Sequence, residues 1–166
     1  MDFKALFDGI YPSLFRYCQR HTGDPDVSDD VAQEAFVRLL EREVEGDPDQ
    51  LKVWLFQVAT HLLRDRFRMQ QTRGRLRSAM IDPRGEAPRP DRDLERAERV
   101  RIVRAGLAEL DERGRELLLM REEGFSYKEM AEVVDVAVGS VGTLLARAEQ
   151  ALIDELERRE YFDESP

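Results

Sequence analysis

Residues 51–68, LKVWLFQVATHLLRDRFR, combine the aromatic rings of Trp54, Phe56 and Phe67 with Arg64, Arg66 and Arg68. Aromatic faces stack on unpaired bases, and arginines hold the phosphates around them. The set therefore suits single-stranded nucleic acid. Trp54 alone reads as a core residue, and arginines can form a merely solvated helix face; the density of this cluster favours nucleic acid. A second set lies further along. Ser126-Tyr127-Lys128-Glu129 has the capping-box pattern that opens a helix. Asp135-Val136-Ala137 makes a tight turn, and helical spacing resumes at 138. Helix, three-residue turn and helix is a helix-turn-helix pattern, whose second helix presents its first residues to base edges in the major groove. Those residues are Ser140, Thr143 and, one turn later, Arg147. An ordinary helical hairpin has the same pattern. A third stretch, residues 29–40, DDVAQEAFVRLL, carries acidic and amide groups on one side of a helix. It is either a solvated face or a surface for a basic protein partner.

The elements that must position these groups all show helical periodicity. Phe3, Leu6, Phe7, Ile10, Leu14, Phe15 and Cys18 recur at three- and four-residue steps, predicting a helix over 3–21 that bends near Pro12. A turn at 22–25 precedes a helix over 27–44, with Val31, Ala35 and Leu39 inward and Phe36 open to either an inward or a surface reading. An Asp-Pro pair starts a third helix, apolar first and then basic through Arg73, Arg75 and Arg77. Pro83, Gly85, Pro88 and Pro90 mark residues 78–93 as a flexible linker. Helices follow over 94–110, over 111–124 with Asp111 as cap, and over 127–134 and 138–159. Met130, Ala131 and Val134 should pack on Val136, Val141, Leu144, Leu145 and Ala148. No strand alternation is seen. The fold class is all-α: two small helical domains, 1–77 and 94–160, the second holding the helix-turn-helix.

A chain of 166 residues fits two such domains. With 42% hydrophobic and 37% charged residues it reads as soluble and globular rather than disordered. No apolar run reaches the roughly 20 residues of a membrane span, and no signal peptide is expected. The single cysteine, Cys18, excludes an internal disulfide and suggests a cytoplasmic location and a core role. The net charge of -9 argues against DNA binding only until its distribution is considered. Residues 51–82 hold seven Lys/Arg against two Asp/Glu, whereas residues 1–50 hold five against twelve and residues 100–166 hold nine against sixteen. A basic island in an acidic chain can hold a phosphate backbone while the remainder faces water or a basic partner. His21 and His61 lie on separate helices, and no metal-ligand cluster, phosphate loop or nucleophile–base arrangement is seen. An enzyme is not expected, and neither is a cofactor or metal.

The order DDVAQEAF, WLFQVATHLLRDRFR, a proline-containing linker, LDERGRELLLMREEGFSYKEMAEVV and GSVGTLLARAEQAL resembles the extracytoplasmic-function (ECF) class of sigma-70 family factors. The resemblance spans roughly residues 3–72 and 96–157. It implies that Asp30, Gln33, Glu34 and Phe36 dock on the clamp helices of core RNA polymerase. It implies that the segment with Trp54, His61, Arg64, Arg66, Phe67 and Arg68 melts and captures the minus-ten element of promoter DNA. His61 stands where the family usually has asparagine; a histidine can stack on or hydrogen-bond a base edge, or simply face solvent or cap a helix, so the preferred base stays open. The second domain would bind the minus-thirty-five element through Lys128, Ser140, Thr143 and Arg147. It departs from the family at Asp135, Ala137, Gly142, Leu144 and Glu149, where a glycine, a capping serine and basic residues are common; weak or unusual minus-thirty-five binding is expected. An anti-sigma factor is the expected regulatory partner. Two other readings use less of the chain. A stand-alone duplex-binding regulator leaves the aromatic–arginine segment unexplained, and a protein-only adaptor draws on the missing basic residues at 142 and 144.

Overall fold

Local caps set where most helices of this computed structural model begin. The structure describes residues 1–74 and 91–159. Helix α1 (Phe3–Thr22) is capped by Asp2, whose carboxylate accepts from the Ala5 N–H. Pro12 lies inside α1 without ending it. Helix α2 (Pro25–Glu41) starts two residues earlier than its apolar periodicity predicts. Asp24 accepts from the Asp26 and Val27 N–H groups, and Pro25 fills a first-turn position where no N–H is needed. Helix α3 (Pro48–Gly74) opens with a reciprocal pair: Asp47 accepts from the Gln50 N–H, and the Gln50 side chain accepts from the Asp47 N–H.

Helix α4 (Asp91–Ala108) begins within the stretch read as linker, the rest of which, residues 78–90, lies outside the described residues. Helix α5 (Glu112–Glu122) is capped by Asp111 and α6 (Tyr127–Val134) by the Ser126–Glu129 box, both as expected. Helix α7 (Val138–Arg158) follows the turn. Asp135 takes the left-handed conformation there, φ +56°, which aspartate tolerates better than most residues. Ala137 precedes α7 with no side-chain cap.

Helices α1–α3 bury Leu6, Leu14 and Cys18 against Val31, Phe36 and Leu39 and against Leu55, Phe56 and Leu63. Tyr17 is fully buried although it lies beside the apolar stripe read from the sequence; its hydroxyl hydrogen-bonds Thr60 Oγ1 at 2.8 Å. Burial also pushes the Cys18 thiol up to about 12, as expected of a core cysteine. In the second unit, Met130, Ala131 and Val134 bury against Val141, Leu145 and Ala148, with Val136 and Leu144 at the margin. The two units share one continuous apolar cluster.

His21 sits at this junction. Its ring meets Tyr17 edge-on at 4.5 Å, and its Nε2 is buried with no hydrogen-bond partner among the described residues. Burial, with Arg115 and Arg64 nearby, lowers its pKa from 6.5 to about 3. Below about 6.5 the unfolded chain binds a proton that the folded chain refuses, so folding stability falls as pH falls toward 3. Urea unfolding should therefore lose more stability between neutral pH and about pH 4 in the wild type than in His21→Gln. Parallel losses would mean that His21 is not held neutral. At Gly142 an added Cβ would meet only Tyr127 Cε2, at an ordinary 3.6 Å. Gly142→Ala should raise stability by about 0.5–1 kcal/mol in the same assay; a loss would mean that the turn into α7 needs the glycine.

Candidate nucleic-acid interface

The basic half of α3 faces the second domain across an arginine–carboxylate fork. Arg64 Nε donates to Glu116 Oε2 at 2.8 Å and Arg64 Nη2 to Glu116 Oε1 at 2.6 Å. One turn on, Arg68 Nη2 donates to Glu112 Oε2 at 3.2 Å. Each arginine lies four residues from its fellow, and so does each glutamate, so the two helices meet in register. Glu116 is 1% exposed. Burial raises its pKa against the pull of Arg64, while the hydrogen bond to Glu116 raises that of Arg64. We take the pair as ionised, because two short bonds on one guanidinium edge match a carboxylate fork. The Phe67 ring is covered by the Arg115 guanidinium, 4.4 Å from its centroid. Arg115 is itself buried and reaches the Leu110 carbonyl at 3.4 Å.

The contact continues along α3 and α1. Gln57 Nε2 donates to the Glu132 carbonyl at 2.8 Å. Lys52 pairs with Glu129 at 3.0 Å and lies over the Phe125 ring. Phe125 packs on Phe56 with centroids 4.5 Å apart. Burial alone would raise the Glu129 pKa; the Ser126 N–H and Lys52 outweigh it and lower it. Arg16 and Arg20 both hold Glu123, whose side chain is only 2% exposed. At the end of α1, Gly23 has φ +69°, and a Cβ there would come within 2.9 Å of the Arg104 guanidinium. Glycine thus lets a cation of the second domain lie against the negative end of α1.

The proposed strand-binding residues divide accordingly. His61 and Arg66 are exposed. Arg64 is paired, Phe67 is covered, Arg68 is paired though largely exposed, and Trp54 is half-buried against the core. Arg75 and Arg77 lie outside the described residues. Lys128, Ser140, Thr143 and Arg147 are all exposed. Leu144 and Glu149 are otherwise engaged: Leu144 packs on the core and Glu149 pairs with Arg121 at 3.5 Å.

On α2, Asp30 and Gln33 face outward. Asp29 accepts from the Tyr11 hydroxyl and, at 2.8 Å, from Gln33 Nε2, which fixes the Gln33 amide. Burial, with Asp29 adding to it, pushes the Tyr11 hydroxyl up to about 12. Glu34 pairs with Arg38 at 3.0 Å. Phe36 is a correction. It is 2% exposed and packs among Phe3, Phe7 and Tyr11, so it cannot meet a partner at this surface. Val37 and Leu40 are instead 43% and 49% exposed. With Asp30 and Gln33 they complete one stripe at steps of three, four and three residues, a spacing visible in the sequence.

Family models and known proteins match along the same division. The sigma-70 region 2 model matches residues 6–73, and the sigma-70 region 4 model matches residues 101–152. The ECF RNA polymerase sigma factor SigL of Mycobacterium tuberculosis is 32% identical over 152 residues, 90% of this chain and 85% of its own length. SigX of Bacillus subtilis, also an ECF sigma factor, is 28% identical over 98% of this chain and 88% of its own. The fold is that of two solved structures. One is the sigma factor RpoE in complex with the anti-sigma factor NepR from Bartonella quintana, with TM-score 0.64, 24% identity and coverage of 94% of this chain and 97% of that one. The other is CnrH in complex with the cytosolic domain of CnrY, with TM-score 0.68, 23% identity and coverage of 94% and 88%. No helix among the described residues is long and apolar enough to cross a membrane. With both regions matched in order along one chain, the protein belongs to the ECF RNA polymerase sigma factors of the sigma-70 family.

Proposed function

We propose that this chain binds core RNA polymerase, carries it to specific promoters and stabilises the melted minus-ten strand on α3. The observation that carries the reading is the placement of aromatic and arginine side chains along one helix, with His61 and Arg66 already exposed. Stacking and phosphate contacts on such a helix favour unpaired DNA over duplex. Free energy comes from binding, and no bond is made or broken.

Polymerase docks on the outer stripe of α2: Asp30 and Gln33 supply polar contacts, and Val37 and Leu40 supply an apolar end. Duplex DNA meets the start of α7 through Ser140, Thr143 and Arg147, with Lys128 toward a phosphate. Gly142 supplies no cation and Leu144 no free side chain, so this contact is weaker than one with arginines there. A bidentate base contact is worth about 1–3 kcal/mol, which sets the scale of the loss. The location is cytoplasmic, and a regulatory protein of the anti-sigma kind is the partner that controls access.

Two double variants separate the surfaces. Arg64→Ala with Arg68→Ala should cut promoter opening, read by permanganate reactivity of unpaired thymines, by about tenfold or more while leaving core binding intact. Val37→Glu with Leu40→Glu should do the reverse, weakening core binding first. Unchanged opening in the arginine variant would remove α3 from strand capture.

A further inference from the structure

We propose that the groove where the end of α1 meets α4, α5 and α7 is a binding site for a small single-chain amphiphile with an anionic head, a fatty-acid carboxylate or an alkyl phosphate. The groove encloses a cavity of about 550 Å³, within the size range of small-molecule sites. Val100, Val103, Leu107, Leu118, Leu119 and Leu152 supply an aliphatic floor. Arg20, Arg96, Arg99, Arg104 and Arg121 stand around it, against one carboxylate, Glu122. The groove is separate from the residues that meet polymerase, the unpaired strand and duplex DNA.

The arginines are not equivalent. Arg20 is held by Glu123, and Arg121 by Glu149 at 3.5 Å. Arg104 lies against Gly23, and its Nε is buried with no hydrogen-bond partner among the described residues. Burial lowers its pKa and no carboxylate acts against that, in contrast to Arg64 and Arg115. A half-buried guanidinium without an anion carries a desolvation cost that a bound carboxylate or phosphate offsets. The floor decides the rest of the ligand. It holds no aromatic ring, the usual platform for a nucleobase, and its aliphatic side chains match an alkyl body. Val100 is 44% exposed, so apolar surface there is still open to be covered. Leu107, Leu118 and Leu119 are buried, so they are reached by a free chain entering the groove and not by a lipid held in a bilayer.

Isothermal titration of the full chain with decanoate, decyl phosphate, decanol and inorganic phosphate tests the site, together with cosedimentation on phosphatidylglycerol vesicles. The two anionic amphiphiles should bind at a single site, about tenfold or more tighter than decanol or phosphate, because each of the latter lacks half of the match. Methyl NMR should place the shifts at Val103, Leu107, Leu119 and Leu152. Arg104→Gln removes the unanswered guanidinium, and Val100→Asp sets a like charge on the floor. Each should weaken decanoate binding about tenfold or more. Val100 is exposed, so its variant keeps the test valid if Arg104→Gln disturbs the packing on Gly23; far-UV circular dichroism checks both folds. Equal affinity for decanoate and decanol would overturn the proposal. So would wild-type affinity in Val100→Asp, methyl shifts centred elsewhere, no binding below the micelle concentration, or binding confined to the vesicles.

Discussion

The Arg64–Glu116 fork is the interaction on which the arrangement of the molecule turns. It joins the basic end of one domain to the acidic core edge of the other, and it lies between His21, Tyr17 and Arg115 in the shared interior. A carboxylate 1% exposed is tolerable only while its cation is in place. Removing either partner leaves an uncompensated charge, whereas parting the domains returns both to water. Three cations of the basic island, Lys52, Arg64 and Arg68, are answered by carboxylates of the second domain.

The recognition helix shows how local irregularities are absorbed. Asp135 stands in a left-handed turn where glycine is the easier residue, and Ala137 leaves the first N–H groups of α7 without a side-chain cap. Packing carries α7 instead, through Val141, Leu145 and Ala148 on α5 and α6. The cost is borne at the surface that meets duplex DNA, where cations are sparse.

The order of the described helices and the caps of α5 and α6 were legible in the sequence because each rests on local chemistry. The Asp111 cap, the Ser126–Glu129 box and the 135–137 turn act within a few residues of themselves. What crosses the domain junction was not legible. Glu116 stands among Asp111, Glu112, Arg113 and Arg115 on a charged helix, and its burial follows from where α3 lies. The only trace was the matched four-residue spacing of Arg64 with Arg68 and of Glu112 with Glu116. The burial of Tyr17 was not legible, because the group that satisfies its hydroxyl, Thr60, lies 43 residues away. Phe36 was legible as either core or contact, and only the aromatic cluster with Phe3 and Phe7 decides for core.

The most direct measurement adds the purified chain to core RNA polymerase on a fragmented bacterial genome and sequences the RNA starts. The account predicts discrete starts that depend on the protein, with two aligned upstream elements whose minus-ten sequence reflects His61. Tight polymerase binding with no start gained would contradict it and leave an adaptor in its place.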